Sequence, residues 1–444
     1  MTGRKFWVAL HRYLGLAMLL FLLVISVTGS LLVFGHEIDA WLNPRLLRIS
    51  HEQPAAHAPP ALGADELLRR IEQAEPRLRV SLMPLSAPEG ESYEVRVEPR
   101  IDVATGRPHA VDFNRLYVDP ATGQILGRRQ WGAIRLDRAH FIPFIDVLHR
   151  TLHLPGKWGM WLTGAVAIVW LVSSLLGAWL TLPRMASSGQ GFWRKWKPAW
   201  SIKRGAAASR TVFDLHRCVG LWSLPVAVVL STSGVYFNLA DEVFKPLVSW
   251  FSTVHPHPVR SLPVVAEGNR QPAFGIDEAV MRARAHLAPA TRHYQPWYAN
   301  HLARQGVYRI AFKEPGMLER ALSVRYEQIY LDDQTGDLRA LYGYDNGTKG
   351  ERFVIWQYPL HTGRALGWGG RLIVLLGGLA VCTMIMAGLL VWRSRRRARG
   401  GPRLGLNTRS EGPIFPREPT SSHEDACGKT AGSVHFGRDR TPDL

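Results

Sequence analysis

Four stretches of this 444-residue chain are apolar over about the length that crosses a hydrocarbon core. They occupy residues 14–34, 160–182, 219–239 and 372–392. In lipid every backbone N–H and C=O needs an internal partner, so each stretch is expected as a helix. The first is longer than the apolar region of a secretory signal, and no small-x-small cleavage site clearly follows it. It is read as an uncleaved helix.

Charge next to these stretches sets their expected direction. Arg4, Lys5 and Arg12 precede the first, with no acid beside them. Arg184, Arg194, Lys195, Lys197, Lys203, Arg204, Arg210 and Arg217 lie between the second and third, against Asp214 alone. After the fourth comes "RSRRRARGGPR", with six arginines. Lys and Arg concentrate on the cytoplasmic side of membrane helices, so both termini are expected there and two long segments outside. These flanks supply most of the formal net charge of +18, so no nucleic-acid partner is needed to explain it. Cys218 and Cys382 fall in or beside the apolar stretches and Cys427 in the tail. The outer segments therefore have no disulfide framework, and thiol-held metal or iron–sulfur sites are not expected.

Each outer segment carries a strand–turn–strand pattern, "RLYVDPATGQILG" at 115–127 and "QIYLDDQTGDLRA" at 328–340. Each also has a helical window opening with an aspartate that can cap it, "GADELLRRIEQAE" and "GIDEAVMRARAHLA". Two small α+β domains are expected. The hairpins align at an offset of 213 residues, and other pieces align similarly. "LHRYLGL" around His11 matches "LHRCVGL" around His216, and "SVTGSLLVF" matches "STSGVYFNL", both at an offset of 205. "LHRTLHLPGKWG" at Leu148 matches "LHTGRALGWGG" at Leu360, at an offset of 212. The chain thus reads as a tandem repeat of helix, outer domain, helix. Each half has two spans, so the halves share one orientation and equivalent residues lie at one depth. The expected segments are an N-terminus and first helix (1–35), an outer domain (36–147), a second helix (148–183) and a basic loop (184–210). A third helix (211–240), a second outer domain (241–357), a fourth helix (358–393) and a disordered tail (394–444) follow. The loop's "FWRKWKPAW" suits an amphipathic segment on an anionic lipid surface.

Ionisable residues near membrane helices are costly and usually functional. At one depth, His11 and His216 can face each other near the cytoplasmic side. His361 can face His149 or His153 near the outer side. Aligning the Leu-His dipeptides selects His149, whereas aligning Arg184 with Arg393 selects His153; the first alignment is preferred. Facing histidines on a helical bundle suit the two axial positions of a b-type haem. Gly15 and Gly220 would leave room for the flat macrocycle, and Arg12 and Arg217 would pair with its propionates. The His-x-x-x-His spacing of His149 and His153 also allows a zinc pair, but no His-Glu-x-x-His motif accompanies it. His51, His57, His255 and His257 lie in loop or Pro-rich stretches and read as surface residues; His36 and His140 lie nearer the membrane. No phosphate loop, dinucleotide fingerprint or nucleophile triad stands out.

Together, "LHRYLGL" with "TGSLLVF", "LYVDPATGQILG", "LHRTLHLPGKWG", "FDLHRCVGLW" with "SGVYF", "IYLDDQTGDL" and "PLHTGRALG" resemble the PepSY-associated transmembrane family. The resemblance covers residues 1 to about 395. It implies a bacterial inner-membrane protein, a four-helix transmembrane bundle with two PepSY-like periplasmic domains. Some members resemble ferric-siderophore reductases with two haems b. Carried over by position, the iron ligands are His11, His149, His216 and His361. "DDQTG" where the first hairpin has "DPATG" is a mild departure, and His153 is an extra histidine. The resemblance implies electron transfer from an unidentified donor to a ferric siderophore or similar chelate. The rival reading is a regulatory protein whose outer domains restrain a periplasmic peptidase, which leaves the matched histidines without a role. A transporter is disfavoured, because the four stretches are nearly free of charge.

Overall fold

The structure, a computed structural model, describes residues 3–49, 60–183, 191–265, 271–316 and 324–400. Arg184, His51, His57 and the tail beyond residue 400 lie outside the described residues. In chain order, α1 (Gly3–Leu32) is followed by α2 (Gly35–Leu42), α3 (Pro44–Leu47) and α4 (Ala64–Ala74). Strands β1 (Leu78–Pro84), β2 (Tyr93–Pro99), β3 (Arg115–Val118) and β4 (Ile125–Arg129) precede α5 (Phe141–Thr151) and α6 (Trp158–Thr181). The basic connection holds α7 (Phe192–Trp196) and leads to α8 (Ala208–Trp222) and α9 (Leu224–Leu239). Short helices α10 (Lys245–Ser249) and α11 (Pro258–Ser261) precede α12 (Ile276–Ala285). Strands β5 (Gln295–Leu302), β6 (Val307–Lys313), β7 (Tyr326–Asp332) and β8 (Leu338–Gly343) lead to α13 (Lys349–His361) and α14 (Gly367–Gly400).

Among the described residues, four helices are long and apolar enough to cross a membrane: Gly3–Leu32, Trp158–Thr181, Leu224–Ser249 and Arg364–Arg397. At about 1.5 Å per residue even the shortest exceeds the roughly 30 Å of hydrocarbon. Their shared core comprises Met18 and Leu22 of α1, Val166 and Trp170 of α6, Ala227 of α9 and Val381 of α14. Leu20, Leu175, Leu376 and Leu379 point outward and exposed, as lipid-facing side chains do. The third span reaches further back than its apolar stretch. Pro225 has no N–H to give the helical ladder, so α8 and α9 break at Ser223. Yet the Ser223 N–H still reaches the Val219 carbonyl, and Ala227 that of Ser223, each at 2.9 Å. The helix is interrupted without ending, and His216 belongs to the same rod.

The segments 36–147 and 241–357 share one sheet. Its eight strands run β4-β3-β2-β1-β5-β6-β7-β8, all antiparallel, with four from each segment. The seam is β1 on β5, pairing Leu82 with Asn300 and Pro84 with Tyr298. Helices α4 and α12 cover one face, over Leu78, Val95, Leu116, Ile310, Phe312 and Ile329. The expected caps take an unexpected form. Asp277 accepts the N–H groups of Ala64 and Asp65 at 3.0 and 3.1 Å. Asp65 in turn accepts those of Ile276 and Asp277 at 2.5 and 3.2 Å. Each aspartate caps the other helix instead of its own. The two hairpins form as expected. Asp119 and Asp332 each accept two backbone N–H groups of their turn, and Gly123 and Gly336 take the left-handed conformation at φ 75° and 79°. The sheet is tied to the bundle by Arg129, fully buried and bidentate on Asp39 of α2 at 2.7 and 3.1 Å.

Candidate functional site

Two imidazole pairs lie between the helices. His11 of α1 faces His216 of α8 far from the sheet, with ring centroids 6.3 Å apart and planes at 63°. His149 of α5 faces His361 of α13 at the sheet end, with centroids 6.2 Å apart and planes at 60°. They are called here the distal and the proximal pair. Along α1, the residues that touch His149 lie 14 to 18 positions beyond His11, about 21–27 Å of helix.

Each ring is held by its Nδ1. His11 donates to the Ser173 carbonyl at 3.1 Å, and His216 to the Met384 carbonyl at 2.9 Å. His149 donates to the Ile25 carbonyl at 3.0 Å and lies 3.1 Å from the Thr28 hydroxyl. His361 lies 2.7 Å from the Ser233 hydroxyl and also bonds the Leu230 carbonyl. Thr28 and Ser233 each spend their own proton on the carbonyl four residues back, at 2.7 Å in both cases. Their oxygens therefore accept, and the imidazoles donate. A carbonyl acceptor fixes the proton on Nδ1, and in a neutral imidazole that leaves the Nε2 lone pair available. The anchors follow the offsets seen in the sequence: Thr28 and Ser233 differ by 205, as do Ile25 and Leu230, and Ser173 and Met384 differ by 211, one short of the 212 between the second motifs.

These anchors escape a reading of residue types, because a backbone carbonyl carries no sequence signature. The hydroxyls leave one: Thr28 and Ser233 fall at the same place in the two matched motifs. The glycines against the rings are also not the expected ones. A Cβ on Gly177 would stand 2.9 Å from the His11 ring, on Gly29 2.9 Å from His149, and on Gly388 3.2 Å from His216. Gly15 has open space where its Cβ would be, and at Gly220 the nearest atom is the Met384 sulfur at 3.1 Å.

His153 does not join the proximal pair. Leu152 and His153 take left-handed backbone conformations at φ 53° and 54°, turning the chain between α5 and α6. The His153 ring then stacks on Phe144 at 4.5 Å, and its Nε2 donates to the Phe144 carbonyl at 3.0 Å. Its Nε2 thus closes the turn, and the ring packs on Phe144 instead of facing His361. Arg12 and Arg217 each follow a distal histidine, and both keep a buried Nε with no hydrogen-bond partner. Arg217 engages Asp214 and the Pro198 carbonyl through Nη2 at 3.0 and 2.6 Å, whereas Arg12 stacks on Tyr13 at 4.7 Å. His36 and His140 pair with Glu91 and Asp137, away from both pairs.

The spacing of the rings has a chemical meaning. An imidazole nitrogen binds a transition metal at about 2.0 Å, and the ring centre lies about 1.1 Å behind it, so trans imidazoles have centroids about 6.2 Å apart. Both pairs match this separation. Among the described residues, no group of three or more His, Cys, Asp or Glu could hold a metal ion. A metal at either pair would take its other ligands from elsewhere.

A family model described as the PepSY-associated TM region matches residues 8–395. The chain therefore belongs to the PepSY-associated transmembrane family and is a membrane protein. No curated protein matches it.

Proposed function

We propose that this protein is an inner-membrane electron-transfer protein that holds a haem b at each histidine pair and reduces a ferric siderophore or comparable ferric chelate in the periplasm. The observation that carries the reading is the twofold occurrence of facing imidazoles at 6.2–6.3 Å, each with Nδ1 hydrogen-bonded. A macrocycle supplies the four ligands that two histidines leave open, and a haem so bound supplies a one-electron iron couple. In this reading His11 with His216, and His149 with His361, would hold the two haem irons. Ser173, Met384, Ile25, Thr28, Leu230 and Ser233 orient the imidazoles, as outer-shell partners of metal-bound histidines do. The orphaned Nε atoms of Arg12 and Arg217 suit the carboxylates of a haem at the distal pair. The electron donor is outside this assignment.

In the same reading the chain is a tandem duplication, its sheet is two PepSY-like units fused edge to edge, and both termini are cytoplasmic. Matching offsets of the histidines, their anchors and the reciprocal caps support the duplication. The basic flanks support the direction.

A visible spectrum of the purified protein in detergent, before and after dithionite, tests the function. Bis-imidazole haem bands at about two haems per chain are expected. A colourless protein after expression with ample haem would overturn it and leave the peptidase-restraining reading ahead.

A further inference from the structure

One face of the sheet packs on α4 and α12; the other carries an unbalanced row of arginines. The registers place Arg129, Arg115, Arg96, Leu82, Asn300, Arg309 and Tyr330 side by side across seven strands. Neighbouring like charges on a sheet are destabilising, so such a row needs counter-charge. Arg129 has Asp39, and Arg115 has Glu94 at 3.0 Å. Neither Arg96 nor Arg309 makes an ion pair among the described residues; Arg96 feels the Glu94 carboxylate only through its field. Arg309 donates to the Asn300 side-chain oxygen at 2.7 Å, lies over the Tyr298 ring at 5.5 Å, and keeps a buried Nε with no partner. Arg96 reaches solvent, yet partial desolvation and the charges of Arg115 and Arg309 lower its pKa, against the opposing pull of Glu94 and Tyr298.

A third donor converges on the same place. The Tyr330 hydroxyl donates to the Gln328 side-chain oxygen at 2.8 Å, and the Gln328 amide donates to the Tyr298 hydroxyl at 3.0 Å. Tyr298 therefore accepts within the network and has its own proton left to give. Burial raises its pKa, so the phenol stays protonated. His257, whose ring lies 4.6 Å from that of Tyr342 with the planes tilted by 56°, is pushed down to about 4 by burial and by the fields of Arg309 and Lys245. The positive potential of this face is thus felt by its neighbours. The face also adjoins the bundle: Tyr326 and Tyr342 are within electrostatic reach of Tyr236, three residues beyond Ser233 on α9.

We propose that Arg96, Arg309 and the Tyr298 hydroxyl form a binding site for an anionic ferric chelate with charged oxygen donors, of the catecholate or hydroxycarboxylate class. Two guanidinium groups and a phenol match clustered anionic oxygens; a neutral trihydroxamate complex offers no charge for them. The assignment names the substrate class for the reductase reading above, and it rests on that reading. An anionic lipid headgroup offers similar chemistry, so the test includes one.

The test uses the full chain in neutral detergent and gallium(III) complexes, because gallium(III) has the charge of ferric iron and is not reduced under these conditions. The tris-catecholate complex is expected to bind, more weakly as salt rises, and the neutral trihydroxamate complex far less tightly. Arg96→Gln, at an exposed position that should not disturb folding, should weaken the anionic complex by about 10-fold or more, the usual worth of a charge-assisted contact. Arg96→Gln with Arg309→Gln should weaken it further, and Arg96→Lys should recover part of the loss. Equal affinity for both complexes, or unchanged affinity in Arg96→Gln, would overturn the site. So would phosphatidylglycerol that displaces the gallium chelate by binding these same arginines more tightly. If the gallium chelate binds as expected but no ferric chelate is reduced, the anion site stands and the reductase reading falls. If Arg96→Gln reduces anionic ferric chelates with unchanged KM, the site falls and the reductase reading stands.

Discussion

At the proximal pair each imidazole meets a hydroxyl as well as a carbonyl: Thr28 with Ile25 for His149, Ser233 with Leu230 for His361. At the distal pair, among the described residues, only His11 has a hydroxyl, from Ser173 at 3.0 Å; His216 has the Met384 carbonyl. The charges differ in the opposite sense. Beside the distal pair stand Arg12 and Arg217 with orphaned Nε atoms, although Nη2 of Arg217 meets Asp214 at 3.0 Å. At the sheet end, Arg150 is paired with Asp146, and Arg371 is held by Glu37 and the Val33 carbonyl. One ring spacing is thus kept by two sets of supports. The backbone acceptors, common to all four rings, fix orientation and tautomer; the side chains that vary adjust charge and rigidity.

The largest effect should come from the rings themselves. His11→Ala or His216→Ala should remove the distal haem and spare the proximal one, and His149→Ala or His361→Ala should do the reverse. Bound haem should fall from about two to about one per chain, read by the pyridine haemochrome assay, if a haem with one ligand is lost on purification. His11→Ala with His361→Ala should leave none. His11→Ala with His216→Ala should match its singles, because partners in one site are not additive. His153→Ala should keep both haems. If His11→Ala and His361→Ala erase the same spectral component, the pairing by depth is wrong.

Outer-shell changes should be smaller and should separate the pairs. Thr28→Val and Ser233→Ala each remove a hydroxyl acceptor from the proximal pair and should loosen haem there by about 10–100-fold, the usual worth of such partners. Ser173→Ala should do this at the distal pair, though only to the His11 side. No side-chain deletion can do the same for His216, whose acceptor is backbone. Haem loss to apomyoglobin, followed separately for the two spectral components, would measure the contrast. Equal loss rates in Thr28→Val and wild type would show that the carbonyls alone set the affinity.

The histidines were legible in the sequence because a histidine is conspicuous and two share one offset. The four spans were legible because length and apolarity suffice to mark them. The joined sheet was not: β1 meets β5 more than two hundred residues away, and an edge strand has no local mark that names its partner. The crossed caps were hidden for a related reason. "GAD" and "GID" read as local helix starts, and only the fold brings each aspartate to the other helix. His153 was ambiguous because "LHRTLHLP" has two plausible alignments; the left-handed turn at Leu152 and His153 resolves it.

That crossing makes the sheet the next place to test equivalence. Asp65→Ala should uncap α12, and Asp277→Ala should uncap α4. Each should cost about 1 kcal/mol, the ordinary value of a lost N-cap, and the double mutant should depart from the sum because the two aspartates touch. Hydrogen exchange should assign the loss: Asp65→Ala should expose amides at the start of α12 before those of α4. Fraying of α4 instead would mean that each aspartate caps its own helix in solution.

The smallest effect separates the two hairpins. Asp119 and Asp332 make the same turn contacts, but among the described residues only Asp332 also meets an arginine, Arg339, at 2.7 Å. Burial tends to raise the Asp332 pKa; the Arg339 guanidinium and the Gln334 and Thr335 N–H groups outweigh it and hold the carboxyl down to about 2. A carboxyl with a folded-state pKa below its ordinary value stabilises the fold above that ordinary value and loses the contribution as pH falls through the folded one. Wild type should therefore be more stable than Asp332→Asn at pH 7. The gap should be under about 1 kcal/mol, because Arg339 is half exposed and solvent screens the pair. It should narrow as pH falls from about 4 to about 2 and vanish below that. Melting both proteins across this range isolates one carboxylate from the many that titrate together. The absence of a gap at every pH would assign the stability to the turn's hydrogen bonds, which an asparagine oxygen also accepts, and would make the two hairpins equivalent.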